Sequence, residues 1–166
     1  MKTLFLSFLC IFFLSCNSKA QEKSNNNTTS DSNKFPISKT EAEWKAELTD
    51  AEYYVLRKAG TERPFTSDLL DNKKKGTYVC AACGTPLFKS EHKFKSGTGW
   101  PSFDRAIEGN VAYGVDNKIG VPRDEEHCAK CGGHLGHVFD DGPSETTGKR
   151  HCINGVALDF IPDEEG

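Results

Sequence analysis

The apolar positions along the chain divide it into three parts with different patterns. An apolar run from Leu4 to Leu14 is followed by residues 17–33, which contain no large apolar side chain. Beyond them apolar positions recur, first at helical spacing and then in short segments rich in β-branched and aromatic residues. We therefore predict a targeting segment over 1–16, a flexible polar tether over 17–37 and one folded domain over 38–166.

The domain opens with start signals for two short helices. Serine or threonine followed three residues later by glutamate, the spacing of a capping box, occurs at Ser38 and again at Thr49. Apolar residues at helical spacing follow each signal. We predict helices over 39–48 and 50–59, the second capped at its end by Gly60.

The pattern changes after residue 76. Segments such as TYVCAACGTPLF, NVAYGVDN, HLGHVFDD and INGVALDFIP are short and are separated by Gly, Pro, Asn and Asp. This pattern is typical of short antiparallel strands and not of βαβ units. We predict a mainly β fold, with antiparallel β-sheets in a barrel-like arrangement, short N-terminal helices and a structural zinc site.

The N-terminal run MKTLFLSFLCIFFLSC is typical of an export signal. It is too short to span a hydrocarbon core of about 30 Å with confidence, but it suits the apolar region of a signal peptide. Its end, FLSC, resembles a bacterial lipobox in which Cys16 receives the lipid, although Phe13 stands where a smaller aliphatic residue is usual. We expect an exported lipoprotein on the periplasmic side of the cell envelope; the alternative is an ordinary cleaved signal and a soluble periplasmic or secreted protein.

Charge lowers the expectation of one class of partner. The chain has 21 Lys and Arg against 24 Asp and Glu, a net charge of -3. Proteins that wrap nucleic acid normally carry a basic excess that neutralises phosphates. We therefore expect no nucleic-acid partner, and we take a monomer as the default.

Four cysteines form two pairs of the type C-x-x-C-G. Two such turns supply the four sulfurs of a tetrahedral Zn²⁺ site, which is structural because no position stays open for substrate. Two disulfides or a thioredoxin-like redox pair are the alternatives, the first favoured by an oxidising compartment and the second weakened by the lack of a βαβ pattern. The predicted ligands are Cys80, Cys83, Cys128 and Cys131.

Cys152 is left unpaired in the folded domain, in the stretch TGKRHCINGVALDF. Cationic neighbours lower the pKa of a thiol and so favour the nucleophilic thiolate. On a strand, Arg150 and Asn154 share a face with Cys152, whereas His151 points to the other face. An inert strand cysteine with a solvated basic flank is an equally good reading of this stretch alone.

Two further stretches favour a reactive site. GGHLGHVFDDGP contains His134 and His137, the residue type that exchanges protons near neutral pH, followed by Phe139. KSGTGWPSFDR places Trp100 on a glycine-rich turn, where it can form the wall of an apolar pocket. Each of these residues can instead be an ordinary core or surface residue.

In combination, the motifs GTYVCAACGTPLF, SGTGWPSF, CAKCGGHLGHVFDDGP, RHCIN and ALDFIP resemble the peptide methionine-R-sulfoxide reductase family over about residues 40–162. The resemblance implies an antiparallel β fold with N-terminal helices, a structural zinc on the four paired cysteines, and reduction of methionine-R-sulfoxide, mainly in proteins. It implies that Cys152 is the nucleophile and that its thiolate becomes a sulfenic acid. The implied polar site residues are Arg150, His134, His137, Asp141 and Asn154, and the implied wall for the substrate methyl group is Trp100 and Phe139.

The resemblance has one notable departure. Many members carry a resolving cysteine within SG-x-GWPSF, and here that position is Thr98. We therefore expect an external thiol, such as a thioredoxin-like protein, to reduce Cys152, unless an unlipidated Cys16 folds back to it. The rival function is a zinc-stapled binding module with an incidental Cys152. A zinc hydrolase or deaminase is disfavoured, since the sequence has no H-x-E element and four thiolates fill the metal.

Overall fold

The computed structural model describes residues 35–164. The predicted targeting segment and most of the tether lie outside these residues. At the start of the described part, the Ile37 N–H donates to the Lys130 carbonyl, and the Ile37 side chain packs against the core. None of the helices within 35–164 has the length and apolar character that a membrane span needs.

Two short helices begin the domain, as predicted, and both start with a complete capping box. The first, α1 (Glu41–Glu47), is capped by Thr40 with Glu43 and not by the predicted Ser38. The second, α2 (Asp50–Lys58), is capped by Thr49 as predicted. The residue that ends α2 in the left-handed conformation is Ala59 and not the predicted Gly60. The next residue, Gly60, donates its N–H to the Tyr54 carbonyl.

Within residues 35–164 nine strands form two antiparallel sheets. The small sheet comprises β1 (Gly76–Cys80), β2 (Pro86–Lys89) and β9 (Leu158–Pro162). The large sheet comprises β3 (Lys93–Phe94), β4 (Ser102–Phe103), β5 (Val111–Asp116), β6 (Arg123–Cys128), β7 (His134–Phe139) and β8 (Arg150–Ile153). The strand order is β2–β1–β9 in the small sheet and β3–β4–β8–β7–β6–β5 in the large sheet.

The mainly β, antiparallel prediction is confirmed, but its barrel-like arrangement is not. Within residues 35–164 neither sheet closes on itself, and β3 and β5 remain the edges of the large one. Closure needs strands long enough to tilt and stagger around an axis. The strands β3 and β4 have two residues each, so they extend the large sheet without curling it into a barrel.

The core lies between the helices and the sheets. Phe103 stacks on Phe88 with ring centroids 4.4 Å apart and meets Tyr78 edge-on at 4.9 Å. Trp44 of α1 is 1% exposed, and the guanidinium of Arg57 lies over its ring. Burying aromatic side chains of this size supplies much of a small domain's stability, and here it fixes the large sheet that carries the candidate site.

Candidate active site

Cys152 lies in the middle of β8, between two neighbouring strands of the large sheet. In the hydrogen-bonded ladders its partner on β4 is Ser102 and its partner on β7 is His137. His151 faces the opposite side, where it is 5% exposed and contacts the Phe88 ring. The predicted alternation therefore holds for Arg150, Cys152 and His151, because the strand is regular over these positions.

A bulge in β7 brings both histidines to the face that carries Cys152. Regular alternation would send His134 and His137, three residues apart, to opposite faces. The pairing of β6 with β7 shifts by one residue at this point: Glu126 pairs with Gly136 but His127 pairs with His134, which leaves Leu135 as the extra residue. The two imidazole rings consequently lie 5.4 Å apart, nearly perpendicular to each other.

The sequence analysis missed the carboxylates that orient these histidines. The Glu125 Oε1 lies 2.6 Å from the His134 Nδ1, and the Asp116 Oδ2 lies 2.9 Å from the His137 Nε2. A hydrogen bond from Lys118 N–H, with help from His137 and Arg123, holds the pKa of Asp116 well below its ordinary value. When the imidazoles are neutral, each donates its N–H to its carboxylate and keeps its other nitrogen as an acceptor.

Burial dominates the electrostatics of His134. Its removal from water lowers its pKa to about 4, although the Glu125 carboxylate acts in the opposite direction. His134 is therefore neutral at neutral pH. The sequence does not identify either acidic partner. Glu125 contacts His134 from the adjacent strand β6, and Asp116 contacts His137 from β5, the strand beyond β6.

Arg150 is held by a carboxylate and an aromatic ring. Its Nε and Nη2 donate to the two Asp141 oxygens at 2.8 and 2.9 Å, and its guanidinium lies 4.4 Å from the centroid of the Phe139 ring. Both contacts keep the planar group in one orientation. The structure thus brings together Arg150, Asp141 and Phe139, three of the site residues that the resemblance implies.

The thiol of Cys152 is not the free thiolate that its basic flank suggested. Burial raises its pKa, and the lowering effects of Thr98 and Arg150 do not overcome this. The nearest of these groups is the Thr98 hydroxyl, whose oxygen lies 3.8 Å from the Cys152 Sγ. Thr98, which stands at the position of a resolving cysteine in the resemblance, is therefore next to Cys152.

A short loop from Ser96 to Trp100 holds Thr98 in place. The Ser96 hydroxyl links the hydroxyls of Thr98 and Ser102 at 2.9 and 2.7 Å. Trp100 is half-buried, and its Nε1–H donates to the Glu62 carbonyl at 3.3 Å. Within residues 35–164 no ring contact joins Trp100 directly to Phe139.

Asn154 connects the β7 bulge to this loop. The strand β8 ends before Asn154. The Asn154 Nδ2 and the Asn154 backbone N–H both donate to the carbonyl of the bulged Leu135 at 2.9 Å. Its Oδ1 accepts the N–H of Glu62, whose carboxylate in turn accepts the N–H groups of Gly155 and Val156. Glu62 had no signal in the sequence, since it lies in a polar loop 92 residues before Asn154.

The four paired cysteines converge on one point. Within residues 35–164 all four are free, and their sulfurs lie within 4.8 Å of one another. The distances Cys80–Cys131 and Cys83–Cys128 are 3.7 and 3.6 Å, near the about 3.8 Å that a tetrahedron with 2.3 Å Zn–S bonds requires. Gly84 and Gly132 follow the two pairs at φ 70°, so both turns use glycine's left-handed conformation. The donor set fits Zn²⁺, and no disulfide joins any two of these four cysteines.

Comparison with known proteins gives consistent relatives. Residues 48–162 match the family model described as the SelR domain. A peptide methionine sulfoxide reductase MsrB of Leifsonia xyli is 50% identical over 132 residues, 79% of this chain and 95% of the relative. The enzyme of the same name from Methanosarcina barkeri is 54% identical over 131 residues, 78% and 92% of the two chains. That from Leptospira interrogans is 51% identical over 127 residues, 76% and 96%.

Proposed function

Because this chain belongs to the SelR-domain family of peptide methionine sulfoxide reductases, we propose that it reduces the R epimer of methionine sulfoxide, mainly in proteins, with Cys152 as the nucleophile. Membership in this family makes the chain an oxidoreductase of methionine sulfoxide, which requires an oxidised protein or peptide and a thiol reductant. One observation carries the choice of nucleophile. The Cys152 thiol lies beside the Thr98 hydroxyl, on the sheet face that also carries Arg150 and His137.

The first step in this proposal is the loss of the thiol proton. His137, the ladder partner of Cys152, keeps its Nδ1 as an acceptor when its Nε2–H is donated to Asp116. It takes the thiol proton directly or through a water held with Asn154. The ionised Asp116 then stabilises the imidazolium, and Arg150 stabilises the thiolate.

The thiolate then attacks the sulfoxide sulfur. A bond forms between the two sulfurs while the sulfoxide S–O bond breaks, and the imidazolium of His137 returns the proton to the oxygen as negative charge develops there, so that the oxygen leaves as hydroxide. The hydroxide then attacks the Cys152 sulfur and forms a new S–O bond there, while the S–S bond breaks with its electron pair going to the methionine sulfur. The products are the methionine thioether and the Cys152 sulfenic acid. The substrate sulfur is reduced, the cysteine sulfur is oxidised, and the oxygen and the thiol hydrogen both end on Cys152. Neutral His134 accepts a hydrogen bond in the site, and Trp100 and Phe139 bound the substrate's methyl group.

The sulfenic acid is regenerated from outside in this proposal. The position next to Cys152 is Thr98, which cannot form a disulfide, and the other four cysteines of the described chain are grouped at the metal site. A thioredoxin-like thiol therefore attacks the sulfur of the Cys152 sulfenic acid directly and first forms a mixed disulfide with it. Mass spectrometry after one sulfoxide turnover without reductant should find a trapped sulfenic acid. An intramolecular disulfide in the native chain would contradict a one-cysteine cycle.

Zn²⁺ is the proposed occupant of the four-cysteine cluster, and its function there is structural. Cys80 ends β1 of the small sheet, and Cys128 ends β6 of the large sheet, so a bound ion ties the two sheets together. Removal of the metal by a strong chelator should unfold the domain cooperatively, as followed by circular dichroism, and added Zn²⁺ should restore it. A chelated protein that keeps its fold and its thermal midpoint would refute this function.

The remaining proposals concern the cell. We propose export and lipidation at Cys16, which would hold the domain, a monomer, on the periplasmic side of the envelope through the polar tether. Growth with a labelled fatty acid should label the wild-type chain and not a Cys16→Ala variant. Labelling of neither chain, with both in the soluble periplasmic fraction, would favour the ordinary signal peptide.

The decisive activity test compares R and S sulfoxide substrates. Purified wild-type protein should reduce the R epimer with dithiothreitol or with thioredoxin as reductant, and it should leave the S epimer unchanged. Cys152→Ser should retain the fold and lose turnover, because serine cannot accept the oxygen and be regenerated. A serine variant that still reduces the sulfoxide would refute the mechanism. Peptide binding by both proteins without turnover by either would support the zinc-stapled binding module.

A further inference from the structure

A cavity of about 760 Å³ opens beside the candidate active site. Its wall includes the stretch from Leu70 to Gly76, the stretch from Lys89 to Ser96, and the loop that ends at Trp100. Gly97 and Gly99 line this cavity and flank Thr98, the neighbour of the Cys152 sulfur. One loop therefore separates the cavity from the nucleophile.

The cavity concentrates positive charge in an acidic protein. Three acidic side chains, of Asp71, Glu91 and Asp163, line it together with six lysines, whereas the whole chain has a net charge of -3. Five of these lysines, all except Lys93, are exposed and form no ion pair within residues 35–164. The lysines of the cavity are Lys73, Lys74, Lys75, Lys89, Lys93 and Lys95.

Lys93 fixes the lysine-rich wall in place. Its side chain is half-buried, and its Nζ donates to the Leu70 carbonyl at 2.6 Å and to the Asn72 carbonyl at 3.2 Å. These bonds hold the backbone immediately before Lys73. The exposed ammonium groups of Lys73 to Lys75 therefore extend from an anchored segment of chain.

The rim of the cavity holds an aromatic residue in an unfavourable backbone conformation. Phe65 has φ 63° and is 67% exposed, and its N–H donates to the Gly99 carbonyl at 2.8 Å. A bulky residue rarely adopts the left-handed region, and such strain is concentrated at functional sites. The exposed ring stands at the same loop as Trp100, where it can contact a chain entering the site.

We propose that this cavity binds the residues that flank methionine sulfoxide in the substrate chain and that it selects flanks containing Asp or Glu. The inference deepens the proposed function and rests on it, because it assumes that a sulfoxide-bearing chain reaches Cys152 past Trp100, which lines the cavity. A concave space of this volume is in the range that encloses small ligands and short peptide segments. The broad surface of a folded reductant would not fill it, which is why a peptide segment is the better occupant.

The test compares three peptides of equal length, each with one central methionine-R-sulfoxide and with acidic, neutral or basic flanks. Dithiothreitol serves as reductant, so that docking of a protein reductant does not enter. For wild-type protein we expect kcat/KM about 3- to 10-fold higher for the acidic than for the neutral peptide, through a lower KM, because several exposed charge pairs of modest strength add up. This preference should shrink as salt is raised.

Charge-reversing variants assign the preference to the cavity. Lys74→Glu combined with Lys95→Glu should remove the acidic preference or invert it, and it should lower kcat/KM more for the acidic peptide than for the neutral one. Lys45→Glu, at an exposed position on α1, is the matched control and should behave like wild type. Circular dichroism and the thermal midpoint check that both variant chains remain folded.

The outcomes separate the two proposals. If wild-type protein reduces none of the three peptides, the proposed function itself fails. If all three peptides are reduced equally well, or if the cavity variant keeps the acidic preference, the cavity inference is overturned. A loss confined to turnover with a thioredoxin-like reductant would assign the lysines to the reductant and would also overturn it.

Discussion

Replacing Thr98 with cysteine places a second thiol beside the sulfur of Cys152, the proposed nucleophile. The Thr98 Oγ1 lies 3.8 Å from the Cys152 Sγ, and a disulfide requires about 2.05 Å. The two sulfurs must therefore approach by roughly a further 1.7 Å beyond this contact. Gly97 and Gly99, at φ 79° and 94°, flank the substituted position and give the loop freedom that other residues lack.

The size of the effect follows from the chain segment that the new bond closes. Positions 98 and 152 are 54 residues apart, and the chain-entropy model gives about 4 kcal/mol of stabilisation for a closed loop of this length at 25 °C. Strain from moving the loop subtracts from this figure. We expect oxidised Thr98→Cys to be more stable than its reduced form by about 2–4 kcal/mol.

The assay is one turnover of a sulfoxide peptide without reductant, followed by mass spectrometry and urea denaturation. Wild-type protein should retain a sulfenic acid that a specific trapping reagent modifies. Thr98→Cys should lose one water from this form as the disulfide closes, and its urea midpoint should rise. Thr98→Ser and the double variant Thr98→Cys/Cys152→Ser are the controls, and neither should form the bond.

Two results would refute the reasoning. If oxidised Thr98→Cys keeps the sulfenic acid and its urea midpoint stays at the reduced value, the two side chains do not meet as described. If the oxidised variant is less stable than the reduced one, strain in the loop exceeds the entropy term, and the loop is more rigid than its glycines indicate.

Three further predictions concern charged groups near the site. Arg150→Met should raise the already elevated pKa of Cys152 and slow its alkylation by neutral iodoacetamide at pH 7 by about tenfold; an unchanged rate would show that Arg150 does not stabilise the thiolate. Burial lowers the pKa of His134 from 6.5 to about 4, so the free energy of unfolding is highest above pH 6.5 and falls by up to about 3 kcal/mol as pH falls towards 4. In His134→Gln the stability measured in urea should depend less on pH over that range. His151→Phe should cost about 3 kcal/mol because the Glu126 carboxylate, 0% exposed and 2.6 Å from the His151 Nδ1, loses its partner; adding Glu126→Val should restore the urea midpoint.

Local patterns in the sequence predict much of this molecule because they depend on few residues. The alternation of β8 separates Arg150 from His151, and the C-x-x-C-G spacing identifies both turns of the four-cysteine cluster, which could hold a metal ion. The first helix shows where a local rule is insufficient. Ser38 and Thr40 both have the capping-box spacing, and the bond from Ile37 N–H to Lys130 on a distant turn accompanies a start at Thr40.

The rest of the site depends on register and on distant parts of the chain. The spacing of His134 and His137 predicts opposite faces, and a one-residue bulge at Leu135 reverses this for His134. Bulges are set by the pairing of two strands, so a single strand's sequence does not reveal them. Glu62 and Asp116 reach the site across separations of 92 and 21 residues, and an acidic side chain in a loop or strand carries no mark of its eventual partner.

The bond between Glu62 and Asn154 has a consequence for the kinetics of assembly. It joins positions 92 residues apart. The Glu62 carbonyl also accepts a hydrogen bond from Trp100, and Asn154 also donates to the Leu135 carbonyl in the bulge next to His134. Contacts of such long range form late and make folding slow. A chain refolding from denaturant should therefore regain reductase activity together with its last folding phase, so that incompletely folded chains contribute no repair.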